Sequence, residues 1–191
     1  MILLLDNFDS FTFILKDYLL QLGKECLVIR NDENPTDYRH KDFEALLVSP
    51  GPQKPADANN LMAFISHFVS HTPILGVCLG HQAIVEYFGG TLKKMSRPEH
   101  GQLFYLTHNS DGIFQNCDSP IAVARYHSWC VDQLPEELLE TAQTKEGVNM
   151  AIKHTSLPIT GIQFHPESIL TKHGLIMLQN WLQEVNQFNN S

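Results

Sequence analysis

Cysteine is scarce in this sequence: four occur in 191 residues, at positions 26, 78, 117 and 130, and no two form a C-x-x-C pair. That pattern excludes a disulfide framework and a zinc module. Positive charge is scarce as well, with 13 Lys and Arg against 21 Asp and Glu and a net charge of −8. A protein that grips nucleic-acid phosphates needs clustered basic residues, so nucleic acid is not expected as a partner. Long apolar runs are also lacking. Nothing approaches the ~18 residues that a membrane-spanning helix requires, and Ile2 to Leu5 is too short an opening run for a secretion signal. The expectation is a soluble protein of a reducing compartment, the cytoplasm, with no membrane contact. The ten histidines are scattered. Only His67 and His71 have helical i, i+4 spacing, with no third ligand near them and solvent the expected surroundings of both, so neither a metal nor a cofactor is expected.

What is present is the composition of a globular protein, 43% hydrophobic and 18% charged. Domains run roughly 50–250 residues, so 1–191 reads as one unit. In the first half, short apolar runs alternate with amphipathic stretches, the pattern of β-α-β units feeding a parallel sheet. Strands are expected at Ile2 to Leu5, Cys26 to Ile29, Ala45 to Val48 and Ile74 to Val77. Helices are expected from Phe11 to Leu22 with Ser10 as cap, within Asp57 to His71, and from Leu79 to Phe88. The segments Leu103 to Thr107, Ile121 to Tyr126 and Val148 to Lys153 look antiparallel. Ile159 to Phe164 reads as another strand and His173 to Phe188 as a last helix. The fold class is therefore α/β, a mainly parallel central sheet flanked by helices with a smaller antiparallel extension.

The most informative string is Gly76-Val77-Cys78-Leu79-Gly80-His81-Gln82, between an expected strand and an expected helix. It is the cysteine form of the nucleophile elbow, a sharp turn that exposes its central residue above the sheet. Residues two before and two after the nucleophile crowd each other in such a turn, so both are expected to lack a side chain. The helix that follows favours thiolate over thiol, and the Leu79 N–H points to where an oxyanion forms. An isolated cysteine fills core more often than it reacts; Cys26, Cys117 and Cys130 keep that bland reading, with Cys117 and Cys130 expected in loops.

A cysteine nucleophile needs a base, and the base needs an orienting group. Gln163-Phe164-His165-Pro166-Glu167-Ser168 supplies both at the end of a strand. Pro166 forces His165 toward an extended conformation, in which residues i and i+2 point the same way. Glu167 is then placed to hydrogen-bond one imidazole nitrogen and leave the other facing sulfur. The two strings close strands that should lie side by side, and ligands bind at the carboxyl ends of such strands. Gly51, in Ser49-Pro50-Gly51-Pro52, offers a second oxyanion N–H or is an ordinary proline-rich turn. Gln82, one helical turn past Cys78, binds a polar substrate or faces solvent. Tyr126-His127-Ser128 presents backbone groups to a substrate carboxylate or packs the sheet edge.

Taken together, these strings resemble the class I (triad) glutamine amidotransferases, with a flavodoxin-like fold. The Asp6-Asn7-Phe8-Asp9-Ser10-Phe11-Thr12 opening and Arg125-Tyr126-His127-Ser128 are similar to one subgroup, the glutaminase subunits of anthranilate synthase and aminodeoxychorismate synthase. The resemblance implies that Cys78 attacks the side-chain carboxamide of L-glutamine, that His165 moves the proton and that Glu167 orients His165. It implies an oxyanion hole at Gly51 and Leu79, and glutamine binding by Gly51, Gln82 and the backbone at Ser128 and Trp129. The partner it implies, the consumer of the ammonia, is a chorismate-binding synthase subunit. Three positions depart from the family pattern: Gln53 stands for Gly or Cys, Gln102 for the Lys of H-G-K in His100-Gly101-Gln102, and Trp129 for Leu. The larger ring at 129 is expected to narrow the glutamine pocket. The competing readings are a free-standing γ-glutamyl hydrolase of the same fold and a redox or regulatory protein that uses Cys78 without catalysis.

Overall fold

The computed structural model describes residues 1–95 and 102–190. Its first half runs β1 (Ile2–Asp6), α1 (Thr12–Gln21), β2 (Cys26–Arg30), β3 (Ala45–Val48), α2 (Leu61–Phe68), β4 (Ile74–Val77) and α3 (Leu79–Tyr87). Its second half runs β5 (Thr91–Lys94), β6 (Gln102–His108), β7 (Ile121–Arg125), β8 (Trp129–Gln133), β9 (Leu138–Thr144), β10 (Asn149–His154), β11 (Ile159–Ile162) and α4 (Gly174–Asn189).

Nine strands form one sheet in the order β2-β1-β3-β4-β11-β10-β9-β6-β7, and β5 pairs with β8 in a separate ribbon. The β2-β1-β3-β4-β11 portion is parallel, the 2-1-3-4-5 order of a doubly wound α/β domain. From β11 outward every pairing is antiparallel. The parallel strands are continuous apolar runs because helices cover both faces. Successive side chains point to opposite sides of β1. Ile2 and Leu4 pack with Leu15 and Leu19 of α1 and with Met177 and Trp181 of α4. Leu3 and Leu5 pack with Phe64 and Ile65 of α2 and Ala83 and Ile84 of α3. Each such side chain, fully buried, stabilises the fold by about 1.5–3 kcal/mol.

The structure departs from four expectations. Ser10 does not cap α1: the Asp9 carboxylate accepts from the Phe11 N–H, and Asp6 accepts from the Asp9 N–H and the Thr12 hydroxyl. The Thr12 N–H, a donor that a capping Ser10 would take, instead goes to the Asp9 carbonyl at 3.3 Å. Cys130 lies in β8, not in a loop, and is buried. β5, β8 and β9 have no strand signature in the sequence, because they carry exposed charged residues such as Lys93, Asp132 and Glu140 instead of an apolar run. His67 is not merely solvated: its Nε2 is 2.9 Å from the Tyr38 carbonyl oxygen.

The parallel register sets up the site. Gly161 lies opposite Gly76 and Ile162 opposite Val77, so β4 and β11 end level with one another. The segments that follow, Cys78 on one and Gln163 to Glu167 on the other, emerge side by side.

Candidate active site

Cys78 joins β4 to α3 with φ 53° and ψ −96°, a region that non-glycine residues rarely enter. Such strain persists only where the surroundings impose it. Here the Cys78 N–H donates to the Ile162 carbonyl at 2.8 Å, which holds the turn against β11. The two glycines have different causes. A Cβ on Gly76 would lie 2.4 Å from the Gly80 carbonyl carbon, as expected of a tight elbow. A Cβ on Gly80 would instead strike β3, 2.7 Å from the Val48 carbonyl oxygen. The second glycine is therefore required by the neighbouring strand and not by its partner in the motif.

His165 and Glu167 are both 2% exposed, and His165 Nδ1 lies 2.7 Å from Glu167 Oε1. The imidazole is wedged edge-on between the rings of Phe11 and Tyr126, whose centroids are 5.3 and 4.8 Å away. Its Nε2 is buried without a well-formed hydrogen bond among the described residues, and Cys78 is the group that acts on it. Burial alone disfavours the imidazolium, yet negative charge at Cys78 on one side and at Glu167 on the other outweighs burial and raises its pKa to about 10. The backbone is pinned too: the Thr171 hydroxyl donates to the His165 carbonyl at 2.7 Å and accepts from the Ala124 N–H of β7 at 3.1 Å.

Cys78 opens on a cavity of about 180 Å³ lined by Gly51, Pro52, Gln53, Gln82 and residues 126–129. The structure thus brings Cys78, Gly51, Gln82, Ser128 and Trp129 around one space. Leu79, His165 and Glu167 do not line it. The amide of Gln82 faces inward, donating to the Trp129 carbonyl at 2.9 Å and to Gln163 Oε1 at 3.1 Å.

Sequence reasoning missed three supports. Gln163 is fully buried, and its Nε2 lies 3.6 Å from Cys78 Sγ. The i, i+2 rule used for His165 and Glu167 applies equally to Gln163 and His165 and was the available signal. His127 accepts from Arg125 Nε at 3.1 Å through Nε2, so Nδ1 carries the proton and donates to the Trp129 carbonyl at 2.8 Å. Burial, and after it the Arg125 charge, keeps that ring neutral, its pKa pushed down to about 3. Asn7 braces the loop before Gly51: its N–H donates to Ser49 Oγ at 2.9 Å and its Nδ2 to the Ser49 carbonyl at 2.8 Å. The Gly51 N–H takes no hydrogen-bond acceptor among the described residues. On the same loop Gln53 has φ 73°, and Lys54 Nζ sits 4.1 Å over the Trp129 ring, linking the two walls of the cavity mouth.

His100 and Gly101 lie outside the described residues, as does the side chain of Gln102. Among the described residues no group of three His, Cys, Asp or Glu is placed to hold a metal, and no helix is long and apolar enough to cross a membrane.

The likeness to known proteins extends over almost the whole chain. The chain is 46% identical over 188 residues to aminodeoxychorismate/anthranilate synthase component 2 of Bacillus subtilis, covering 96% of each. It is 44% identical to aminodeoxychorismate synthase component 2 of Klebsiella aerogenes, covering 95% of this chain and 99% of that one. It is 45% identical to anthranilate synthase component 2 of Mycobacterium tuberculosis, covering 95% and 81%. A crystal structure of a Thermoplasma acidophilum protein, provisionally assigned to GMP synthase, superposes with a TM-score of 0.90 over 99% of this chain and 95% of that one. At 24% identity that likeness speaks for the fold alone. Residues 3–185 match the family described as glutamine amidotransferase class-I. With 183 of 191 residues inside that match (3 to 185 inclusive) and the elbow cysteine beside a His-Glu pair, the chain belongs to the class I glutamine amidotransferases.

Proposed function

We propose that this protein is a glutaminase subunit that hydrolyses L-glutamine to glutamate and ammonia and delivers the ammonia to a chorismate-binding synthase subunit, in the cytoplasm. The observation that carries the reading is the buried line from cavity to carboxylate: Cys78 at the cavity wall, His165 behind it, and Glu167 2.7 Å from His165 Nδ1. The names of the relatives, component 2 of anthranilate and aminodeoxychorismate synthases, support the partner.

Glutamine enters with its carboxamide at Cys78 and its α-amino and α-carboxylate groups toward Gln82, Gly51, Ser128 and Trp129. The sulfur attacks the carboxamide carbon, and the oxyanion rests on the N–H groups of Leu79 and Gly51. His165, already protonated by virtue of its raised pKa, gives its proton to the amide nitrogen. Ammonia leaves and a thioester remains. Neutral His165 then takes a proton from water, the hydroxide adds to the thioester carbonyl, and collapse releases glutamate and the Cys78 sulfur. Glu167 keeps Nδ1 as the donor, so that Nε2 is the nitrogen that trades protons with sulfur and substrate.

The test is Cys78→Ser in the reconstituted complex. Glutamine-dependent product formation is abolished while synthesis from added ammonium salt persists. Equal loss of both activities would overturn the division of labour, and rapid glutamine turnover by the isolated chain would favour a free-standing hydrolase instead.

A further inference from the structure

Among the described residues, His165 and Gln163 both act on the Cys78 sulfur from outside the substrate cavity. The second has no part in the proton transfers. Its side chain is completely buried with Nε2 3.6 Å from Sγ, and its own N–H is tied to the Met150 carbonyl of β10 at 2.9 Å. Which end of its amide meets sulfur is decided from the other side. Gln82 Nε2 donates to the Trp129 carbonyl and to Gln163 Oε1, so the Gln163 oxygen is taken as an acceptor and its NH₂ is turned to the sulfur. An amide N–H does not titrate near neutral pH. Unlike the proton on His165, it cannot be given to ammonia or taken from water, and it stays a donor through both halves of the reaction. A hydrogen bond to an anionic acceptor is roughly twice as strong as a neutral one, and a donor of this kind favours thiolate over thiol.

We propose that Gln163 is a permanent hydrogen-bond donor to the Cys78 sulfur, stabilising it as attacking and as leaving thiolate, and that Gln82 acts on the nucleophile by fixing which end of the Gln163 amide it meets. This rests on the nucleophile reading given above. It also gives Gln82 a second duty, because the residue placed to hold glutamine is the one that orients the sulfur's donor.

The test uses the full chain and the pH dependence of Cys78 alkylation by iodoacetamide, followed by mass of the peptide. Gln163→Met keeps the length and apolar volume but removes the donor. Its alkylation profile is expected to move to higher pH by about one pH unit, and kcat for glutamine falls more than KM changes. Gln82→Met, in which the Gln163 amide is free to turn over, moves the profile in the same direction by less. A folded Gln163→Met with the wild-type profile overturns the proposal; an unchanged profile in Gln82→Met overturns the orienting role. Should Gln163→Met not fold, Gln163→Leu, which also removes the donor and adds no charge, carries the same test: a shift to higher pH supports the proposal and an unchanged profile refutes it. Cys78→Ser is run beside these. If it retains glutaminase activity the nucleophile reading fails, whereas a dead Cys78→Ser with unshifted Gln163 variants removes only the present inference.

Discussion

Gly174 and Pro166 touch through their backbones: a Cβ on Gly174 would lie 1.7 Å from the Pro166 carbonyl oxygen. The start of α4 therefore presses directly on the turn that carries His165 and Glu167. Gly174→Ala has no room to relax, since the obstacle is main chain. Overpacking of this kind costs about 1–3 kcal/mol, and a displaced His165 costs catalysis through misalignment. We expect a lower denaturation midpoint together with a glutaminase rate reduced by roughly 10². Wild-type activity in a folded Gly174→Ala would show that the turn does not depend on α4.

Glu167→Gln preserves the size of the residue facing His165 Nδ1 but removes its charge. His165 is raised by Cys78 and by Glu167, so losing one of the two lowers its pKa. In the proposed mechanism the protonated form serves as the acid for ammonia. The alkaline limb of the glutaminase profile is therefore expected to move to lower pH, with kcat down by about 10² or more. A pH–rate series on wild type and variant checks both, and an unmoved alkaline limb contradicts the role given to Glu167.

Acid stability should be limited by two neutral histidines. Burial holds His81 down to about 4, and burial with the Arg125 charge holds His127 down to about 3. In the unfolded chain each takes a proton near pH 6.5, so below that value the unfolded state binds more protons and stability falls as the pH drops toward 4. For His81 alone the loss amounts to about 3 kcal/mol over that window. His165 has the opposite sign. Raised to about 10, its contribution is complete below pH 6.5 and is lost as the pH rises through 10. Urea midpoints at a series of pH values should trace a dome for these groups, and His81→Gln should flatten the acid side while leaving the alkaline side in place.

Trp129 walls the cavity and carries Lys54 over its ring. Trp129→Leu removes the ring and frees Lys54, so the mouth widens. Turnover of the bulkier α-methylglutamine relative to glutamine should rise about tenfold, the discrimination one methyl group commonly gives in a tight pocket. An unchanged ratio would mean that the ring does not limit the α-amino and α-carboxylate end.

Much of this was legible along the chain. The parallel strands were readable because both their faces are buried, which demands unbroken apolar runs such as Leu3-Leu4-Leu5 and Ala45-Leu46-Leu47-Val48. β9 was not readable, since its burial is broken by exposed Leu139, Glu140 and Gln143, and its strand character comes from pairing with β10 and β6. The placing of Cys78 in an elbow and of Glu167 beside His165 was legible because tight turns constrain local sequence strongly. Gln163 carried only the weak i, i+2 hint, and nothing near Gly174 announces that Pro166 lies against it.

By itself the sequence determined the elbow, the nearness of His165 to Glu167 and the strands that bear them, because these depend on backbone sterics over a few neighbouring residues; the expected extended course through Pro166 is instead a turn, in which the Ser168 N–H donates to the His165 carbonyl at 3.3 Å. Only the tertiary structure decided that β4 and β11 end level, that Gln82 turns the Gln163 amide toward sulfur, that Val48 and not Gly76 requires a glycine at 80, and that Cys78 and Glu167 together raise the pKa of His165. Those properties belong to pairs of groups far apart in the chain, and their free energy exists only once packing has excluded water and fixed the distances between them.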